Sequence, residues 1–438
     1  MKKKRKQISL GICAMAMMCG CTATAADTLT EKNIEESAVA AEETTEPAVV
    51  ETDTETVSYD QSETHEAAAL SSDEEIIGGT YTADETDESV MEITDGASVS
   101  ITGALLEKVS GEASDVDDAS FKGLNAAVRV YDGASAVIKN CTINAVAKNA
   151  TGVFAYDTSV VEISDSEITV TGGGAGGIQV AGGGTLYASN LTVTSSSKAA
   201  IRSDRGGGVM VIDGGTYTSL GKNGCPSIYS TADITVKNSE CISENSRAVI
   251  IEGKNSVTLE NCNLYGNDQS DKEGSVKANV LLYQSASGDA SEGTSVFTMT
   301  RGSITSYSGA MFYCTNTSST VTLEDSDLVL SEDGVLLIVS EGRWGKEGSN
   351  GGNCVFNAKN QELNGDIIVD SISSLTLNLT ASSYEGVIEG KGDVSVTLDE
   401  NSTWTLTGDS YISSFEGDLS NVNTNGYTLY VNGTAVNS

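Results

Sequence analysis

Val257-Thr258-Leu259-Glu260-Asn261-Cys262-Asn263-Leu264 alternates apolar with polar residues, turns at an Asn-Cys corner and adds one more apolar residue. The phrase returns as Val321 to Leu328 (VTLEDSDL), Val161 to Ile168 (VEISDSEI), Ala136 to Ile143 (AVIKNCTI), Ile234 to Cys241 (ITVKNSEC) and Phe356 to Leu363 (FNAKNQEL). Its corner residue falls at 78, 103, 140, 165, 190, 214, 238, 261, 301, 325, 360, 381 and about 400. Most gaps lie near 24 residues, with three long ones of 37, 40 and 35, so each repeat is one structural turn.

A second phrase stands between the corners at a constant offset: Ala127-Val128-Arg129-Val130, Gly152-Val153-Phe154-Ala155, Gly177-Ile178-Gln179-Val180, Ala200-Ile201-Arg202-Ser203 and Ala248-Val249-Ile250-Ile251. Two or three short strands per repeat that stay in phase at one period do not close as hairpins. The arrangement that buries every inward residue is a parallel β-helix, with about thirteen turns spaced about 4.8 Å apart in a rod of roughly 60 Å. The expected class is all-β, a single-domain right-handed parallel β-helix over residues 76–438 with a cap from about 397. Leu259, Leu323, Ile163, Ile138 and Val236 then share one internal column, and Cys141 and Cys262 share another with Ser166, Ser239 and Ser326. Asn140, Asp165, Asn190, Asn238, Asn261, Asp325 and Asn360 form a corner column whose side chains bond the backbone and their neighbours.

Ahead of the repeats, five basic residues at 2–6 precede an apolar run from Ile8 to about Gly20, too short to span a membrane and matching an export signal over residues 1–25. Two exits are open: cleavage at Ala23-Thr24-Ala25, or a lipobox-like Met18-Cys19-Gly20-Cys21 that leaves Cys21 acylated. Residues 26–75 read as a disordered acidic tether, with sixteen acidic residues against Lys32 between 27 and 75. The single His, His65, falls in that stretch, which removes imidazole chemistry from the expected folded region. An exported protein, on the cell surface or released, follows from these features.

With their Asn or Asp column, VTLENCNL and VEISDSEI resemble the repeats of pectin-lyase-like right-handed β-helix proteins, most closely the adhesin-like surface proteins of bacteria. The resemblance covers about residues 76–438 and implies the architecture. It leaves activity open, because that fold hosts lyases, hydrolases, adhesins and scaffolds. Polygalacturonase-like members carry a Gly-His-Gly motif that this chain lacks. Pectate-lyase-like members imply carboxylates converging on an outward face beside a base. The outward column Lys139, Ser164, Ser189, Asp213, Lys237, Glu260, Thr300, Glu324, Lys359 instead alternates in sign at Asp213, Lys237 and Glu260.

The second phrase presents Arg129, Phe154, Gln179, Arg202, Tyr229 and Ile250 in one outward column and Tyr131, Tyr156, Ala181 and Asp204 in the next. Aromatics beside arginines suit sugar rings or a partner protein. The long gaps mark excursions at Glu107 to Lys122, Tyr265 to Thr294 around an inserted strand at 280–283, and Ser340 to Asn353. Ser285 to Thr294 and the third excursion follow the same strand, so they leave the same edge about two turns, roughly 10 Å, apart. Within the third, Trp344 stands between Arg343 and Lys346, where it either anchors an anionic ligand or folds back over the rod. Asp115, Asp117 and Asp118, or Asp268, Asp271 and Glu273, offer hard-oxygen ligands without a known calcium spacing, so no metal or cofactor is expected.

Cys141, Cys225, Cys241, Cys262, Cys314 and Cys354 follow the signal without a CxxC pair, which favours free buried thiols. The formal charge of −37 makes nucleic acid an improbable partner, and membrane contact is expected only through a lipid at Cys21. The expected role is a non-catalytic surface protein for adhesion or binding of a polysaccharide, surface glycan or surface protein. A polysaccharide lyase or glycoside hydrolase with a non-standard site and a structural spacer are the alternatives.

Overall fold

The structure is a computed structural model and describes residues 58–436. The export signal, Cys21 and the acidic stretch before residue 58 lie outside those residues. A representative coil runs Val160–Ser164, turns at Asp165, continues as Glu167–Val170 and closes with Ile178–Ala181. Each of its three strands pairs in parallel with its equivalents one coil away. Ile163 sits between Ile138 and Ala188, Ile168 between Ile143 and Val193, and Val180 between Ala155 and Ser203. Parallel pairing with a fixed register stacks like side chains inside, and Ile138, Ile163, Val236, Leu259 and Leu323 are all buried.

The corner explains the spacing of the sequence. Asn140, Asp165, Asn190, Asn238, Asn261, Asp325 and Asn360 have φ between 49° and 54°, the left-handed region that Asn and Asp tolerate best among residues bearing a Cβ. Gly78, Gly103 and Gly214 take the same place, while Arg301 at 61° and Ala381 at 48° hold it without that preference. Side chains link successive corners: Asn190 Nδ2 donates to Asp165 Oδ1 at 3.2 Å and Asn261 Nδ2 to Asn238 Oδ1 at 2.8 Å. Where Gly214 has no side chain, Asn238 reaches Asp213 at 2.7 Å instead.

The carbonyl before a corner accepts the corner N–H of the preceding coil, as Ser164 O takes Asn140 N at 3.2 Å and Glu260 O takes Asn238 N at 3.0 Å, and in several coils the residue after the corner adds a second donor. Ser166 Oγ donates to Ser164 O at 2.7 Å, Ser239 Oγ to Lys237 O at 2.6 Å and Ser326 Oγ to Glu324 O at 3.0 Å. The thiols of Cys141 and Cys262 do the same at 3.2 and 3.4 Å. Ser166 Oγ also accepts the Cys141 backbone N–H at 3.0 Å, and Ser382 Oγ that of Gln361. The Ser and Cys column therefore satisfies buried backbone groups as well as filling space.

Both ends of the rod differ from expectation. Coiling starts at Thr64–Glu66, which pairs with Thr80–Ala83, inside the stretch read as tether. Leu70 in that stretch and Ile76 just beyond it are buried, enough apolar surface to join the core despite the acidic composition. His65 consequently belongs to the folded rod, stacked on Tyr81 at 4.6 Å. Beyond 397 the chain still coils, because Trp404, Leu406, Ile412 and Val422 continue the inward columns and Trp404 stacks on Tyr384 at 5.7 Å. The end is an antiparallel pair, Leu429–Val431 with Thr434–Val436.

Replacing Asn261 by Val places a β-branched residue in the left-handed region and should destabilise the rod by about 1–3 kcal/mol. Asn261→Gly should stay within roughly 1 kcal/mol, losing one side-chain bond but no backbone freedom the corner needs. Denaturant midpoints of the two variants beside wild type test this; equal losses would show that corner strain is unimportant.

Candidate functional site

The outward face of the third-strand sheet collects the polar and aromatic residues singled out in the sequence. Register places Glu92, Arg129, Phe154, Gln179, Arg202, Tyr229, Ile250, Leu281 and Tyr313 in one column. The expected column is present, but most of it is covered. Ile178–Ala181, Val249–Glu252, Ala278–Tyr283 and Ala310–Thr315 are buried at every residue, on both faces. The apolar runs Ala248–Ile251, Ala278–Tyr283 and Ala310–Tyr313 signal such double burial, since a strand open to water on one face alternates.

At the N-terminal end the cover is α1 (Val116–Lys122), a helix in the excursion read as a loop. Asp115 is its N-cap, accepting from Asp117 N and Asp118 N at 2.8 and 3.0 Å, and Asp118 pairs with Lys122, so the Asp115 and Asp118 carboxylates are engaged within the helix. Gly123 ends the helix at φ 74°, so close to Phe154 that a Cβ there would lie 2.6 Å from its ring. Phe154 is fully buried and has no surface left for a ligand. Arg129 pairs with Glu92 at 3.0 Å and lies over Tyr131 at 4.1 Å. Tyr156 is half-buried against Phe154 and Ala181. Arg202 is bidentate to Asp204 at 3.0 and 2.7 Å and packs over Tyr229 at 4.5 Å. Phe154, Arg129, Tyr131, Tyr156 and Arg202 brace the rod and form no open stacking surface.

Two further excursions cover the middle of the face. The strand at 280–283 is not inserted: Ala278–Tyr283 is the third strand of its coil, pairing with Val249–Glu252 and Ala310–Thr315. What precedes it, residues 268–277, is held by buried Asp268, which lies 3.1 Å from Arg247 Nε and accepts from Ser270 N and Ala278 N. Asp271 turns away to Lys222 and Asn223. Among the described residues no three acidic, Cys or His side chains gather as a metal-binding group.

Residues 284–293 follow that strand and close over Glu252, a carboxylate 1 % exposed. It accepts from Tyr229 OH at 2.5 Å, from Tyr283 OH at 2.8 Å and from the hydroxyls of Ser285 and Ser287. Burial pushes both phenols above their ordinary range, so they remain protonated donors. With four hydroxyls directed at it, Glu252 is a tie between loop and rod.

Residues 340–352 leave the same edge as 284–293, as the repeat requires. Asn350 holds the loop closed by donating to Gly342 O and Trp344 O, both at 2.8 Å. Trp344 folds back against Tyr283 at 4.5 Å and joins a small apolar cluster with Ile250, Leu281 and Tyr313, yet stays half-exposed. Arg343 lies 4.8 Å over its ring and is exposed. Around Trp344 is a notch of about 60 Å³ lined by Tyr229, Arg247, Lys272, Leu281 and Arg343 among others. Lys346 is exposed in the same loop and does not line it. On the other side of this loop, past Gly345, a wider groove of about 470 Å³ runs between Gln284–Thr294 and Asn316–Ser318, lined by amides, hydroxyls and Glu292.

The outward column on the first-strand face carries paired charges. Glu260 is held by Lys237 at 3.2 Å and Arg301 at 2.6 Å, and Glu324 by Lys359 at 2.5 Å. Lys237 beside it keeps the Glu260 carboxyl below its ordinary range. These acids are satisfied by cations of adjoining coils.

A family profile described as right handed beta helix region matches residues 102–202 and 176–344. The chain belongs to this family. Comparison with curated proteins and with solved structures gives no match. In this β-helix protein the profile spans the first two excursions and ends at Trp344, inside the third. Arg343, Trp344 and Tyr229 are brought together, and Phe154, Arg129, Tyr131, Tyr156 and Arg202 lie further along the face. Arg247 and Lys272 complete the notch; nothing in their local sequence marked them, because they arrive from a different coil and a different loop.

Lys198, which donates to Ser120 of α1 at 2.8 Å, is lowered to about 8 by burial and by the charge of Arg202. Between about pH 8 and 10.5 the folded rod has released a proton that the unfolded chain keeps, so this group makes stability rise with pH across that window. Lys198→Met should therefore be more stable than wild type at pH 7, with the advantage shrinking toward pH 10.5; a constant difference between the two denaturation curves would refute the assignment.

Proposed function

We propose that this β-helix protein is exported and binds a glycan bearing an anionic group, serving adhesion without catalysis. The observation that carries the reading is the notch: Arg343, Lys272 and Arg247 converge beside Trp344 and Tyr229 in a chain whose formal charge is −37. Among the described residues Arg343 and Lys272 take part in no ion pair within 4 Å, although acidic residues outnumber basic ones by 62 to 25 in the sequence. Unpaired cations beside an indole edge suit a carboxylate or sulfate carried on a sugar ring. At about 60 Å³ the notch admits the charged group rather than a whole sugar, and the hydroxyl-lined groove across Gly345 offers room for neutral residues of the same chain.

A lyase or hydrolase needs two carboxylates, or a carboxylate and a base, facing one groove with room for the reacting bond. Glu252 is sealed by hydroxyls, Asp204 by Arg202, and Asp268 by backbone N–H groups and Arg247. These saturated contacts support binding over turnover. The apolar segment at 8–20 and the basic residues before it support export, with surface retention through Cys21 or release after cleavage as its two forms.

A glycan array probed with wild type, Trp344→Ala, Arg343→Ala and Lys272→Ala tests the reading. Binding should be restricted to acidic glycans and fall about tenfold or more in each variant. Lys272 is exposed, so its substitution separates ligand contact from loop packing. Unchanged binding in all three moves the site elsewhere, a blank array supports a spacer, and sugar cleavage would establish an enzyme.

A further inference from the structure

We infer that Cys314 and Cys354 are a site of oxidative modification, in which an intramolecular disulfide fastens the base of the 340–352 excursion. Their Sγ atoms are 3.7 Å apart, the one sulfur pair in contact among the described residues. Cys314 is 0 % and Cys354 2 % exposed, both pointing into the rod. Cys314 lies near the end of the third strand Ala310–Thr315, and Cys354 near the start of the first strand Asn353–Lys359, beside Ser319. The intervening chain holds one coil and the whole excursion with Arg343 and Trp344. Where the excursion rejoins the rod, a Cβ on Gly352 would lie 2.5 Å from the Cys314 carbonyl oxygen, so the returning chain is pressed against Cys314.

The other four cysteines have roles that need no partner. Cys141 and Cys262 donate to the carbonyls before their corners, Cys225 donates to Ser197 O at 2.6 Å, and Cys241 is wholly buried in the core. Cys314 and Cys354 have each other. Their sulfurs need to approach by about 1.7 Å to reach bonding distance, a shift that side-chain rotation and small strand adjustments supply.

The oxidant is a disulfide, either a small molecule or a dithiol oxidase. One cysteine thiolate attacks a sulfur of the reagent, forming a mixed disulfide and releasing one reagent thiol. The second cysteine thiolate attacks the first cysteine's sulfur, forming the Cys314–Cys354 bond and releasing the other. Two electrons pass to the reagent, and the two cysteine protons end on its departing thiols. The Cys314 thiol and complete burial push Cys354 well above the ordinary thiol range, so the reaction runs while the excursion is open, during folding or in local opening.

Incubation of the full chain with oxidised glutathione, or with reductant as control, followed by denaturation, alkylation and tryptic mapping tests this. Cleavage after Arg301, Arg343, Lys346 and Lys359 places the two cysteines in peptides 302–343 and 347–359. The oxidised sample should contain these peptides joined, and the reduced sample should contain both alkylated. Cys314→Ser should abolish the joined species; if that variant does not fold, the wild-type map decides alone. Both peptides alkylated after oxidation, or Cys354 joined to another cysteine, would overturn the site. Hydrogen exchange across 340–352 should slow several-fold on oxidation in wild type but not in Cys314→Ser, and equal rates would overturn the fastening role.

Discussion

The left-handed corner is the constraint on which the rest of the rod depends, and its N–H bonds the carbonyl just before the corner of the next coil. The corner fixes where one strand ends and the next begins, and its Asn or Asp tolerates the backbone while reaching the neighbouring corner. Ser or Cys at the following position, where one is present, adds a second donor to that carbonyl, and Leu191, Gly215 and Gly302 stand there in other coils. Once those positions are set, the apolar residues on either side have one register in which all of them are inside. Arg301 and Ala381 show the limit of the rule: the corner persists where its usual residue is missing, held by the coils on either side.

This logic made much of the architecture legible. Corner positions from Gly78 to Ala381, the inward columns and the order of the outward columns all follow from period and alternation, and the register agrees residue by residue. The ends were harder. Acidic composition hid the coil at Thr64–Glu66, because two buried residues, Leu70 and Ile76, suffice when a ready sheet edge lies alongside. The helix at Val116–Lys122 was hidden too, being too short to show a helical period, and its stability comes from the Asp115 cap and contact with Phe154.

The candidate site was less legible because excursions change the meaning of an outward residue. In the corner-bearing part of the coil outward means exposed, and charges there pair with neighbours in plain view. Under the excursions, outward means facing one of two small clusters apart from the main core, where Phe154 disappears in one, and in the other Tyr229 becomes a donor and Trp344 packs as a lid with part of its ring left to solvent. Arg247 and Lys272 enter the site from places that no periodicity relates to Trp344. Spacing locates residues that repeat; it is blind to meetings between loops.

The antiparallel pair at Leu429–Val431 and Thr434–Val436 has a consequence for the molecule as a population. A stack of parallel coils with equal spacing has no intrinsic reason to stop, and a bare terminal coil is a template on which the first coil of another copy could dock in register. In the third-strand sheet, reversing the last described strand changes that template: the edge now runs opposite to every third strand beneath it, and a parallel strand arriving there meets mismatched donors and acceptors. A single turn of chain direction thus makes this one sheet edge unlike every edge beneath it, while the other two sheets finish on the parallel strands Ser414–Glu416 and Val422–Asn423.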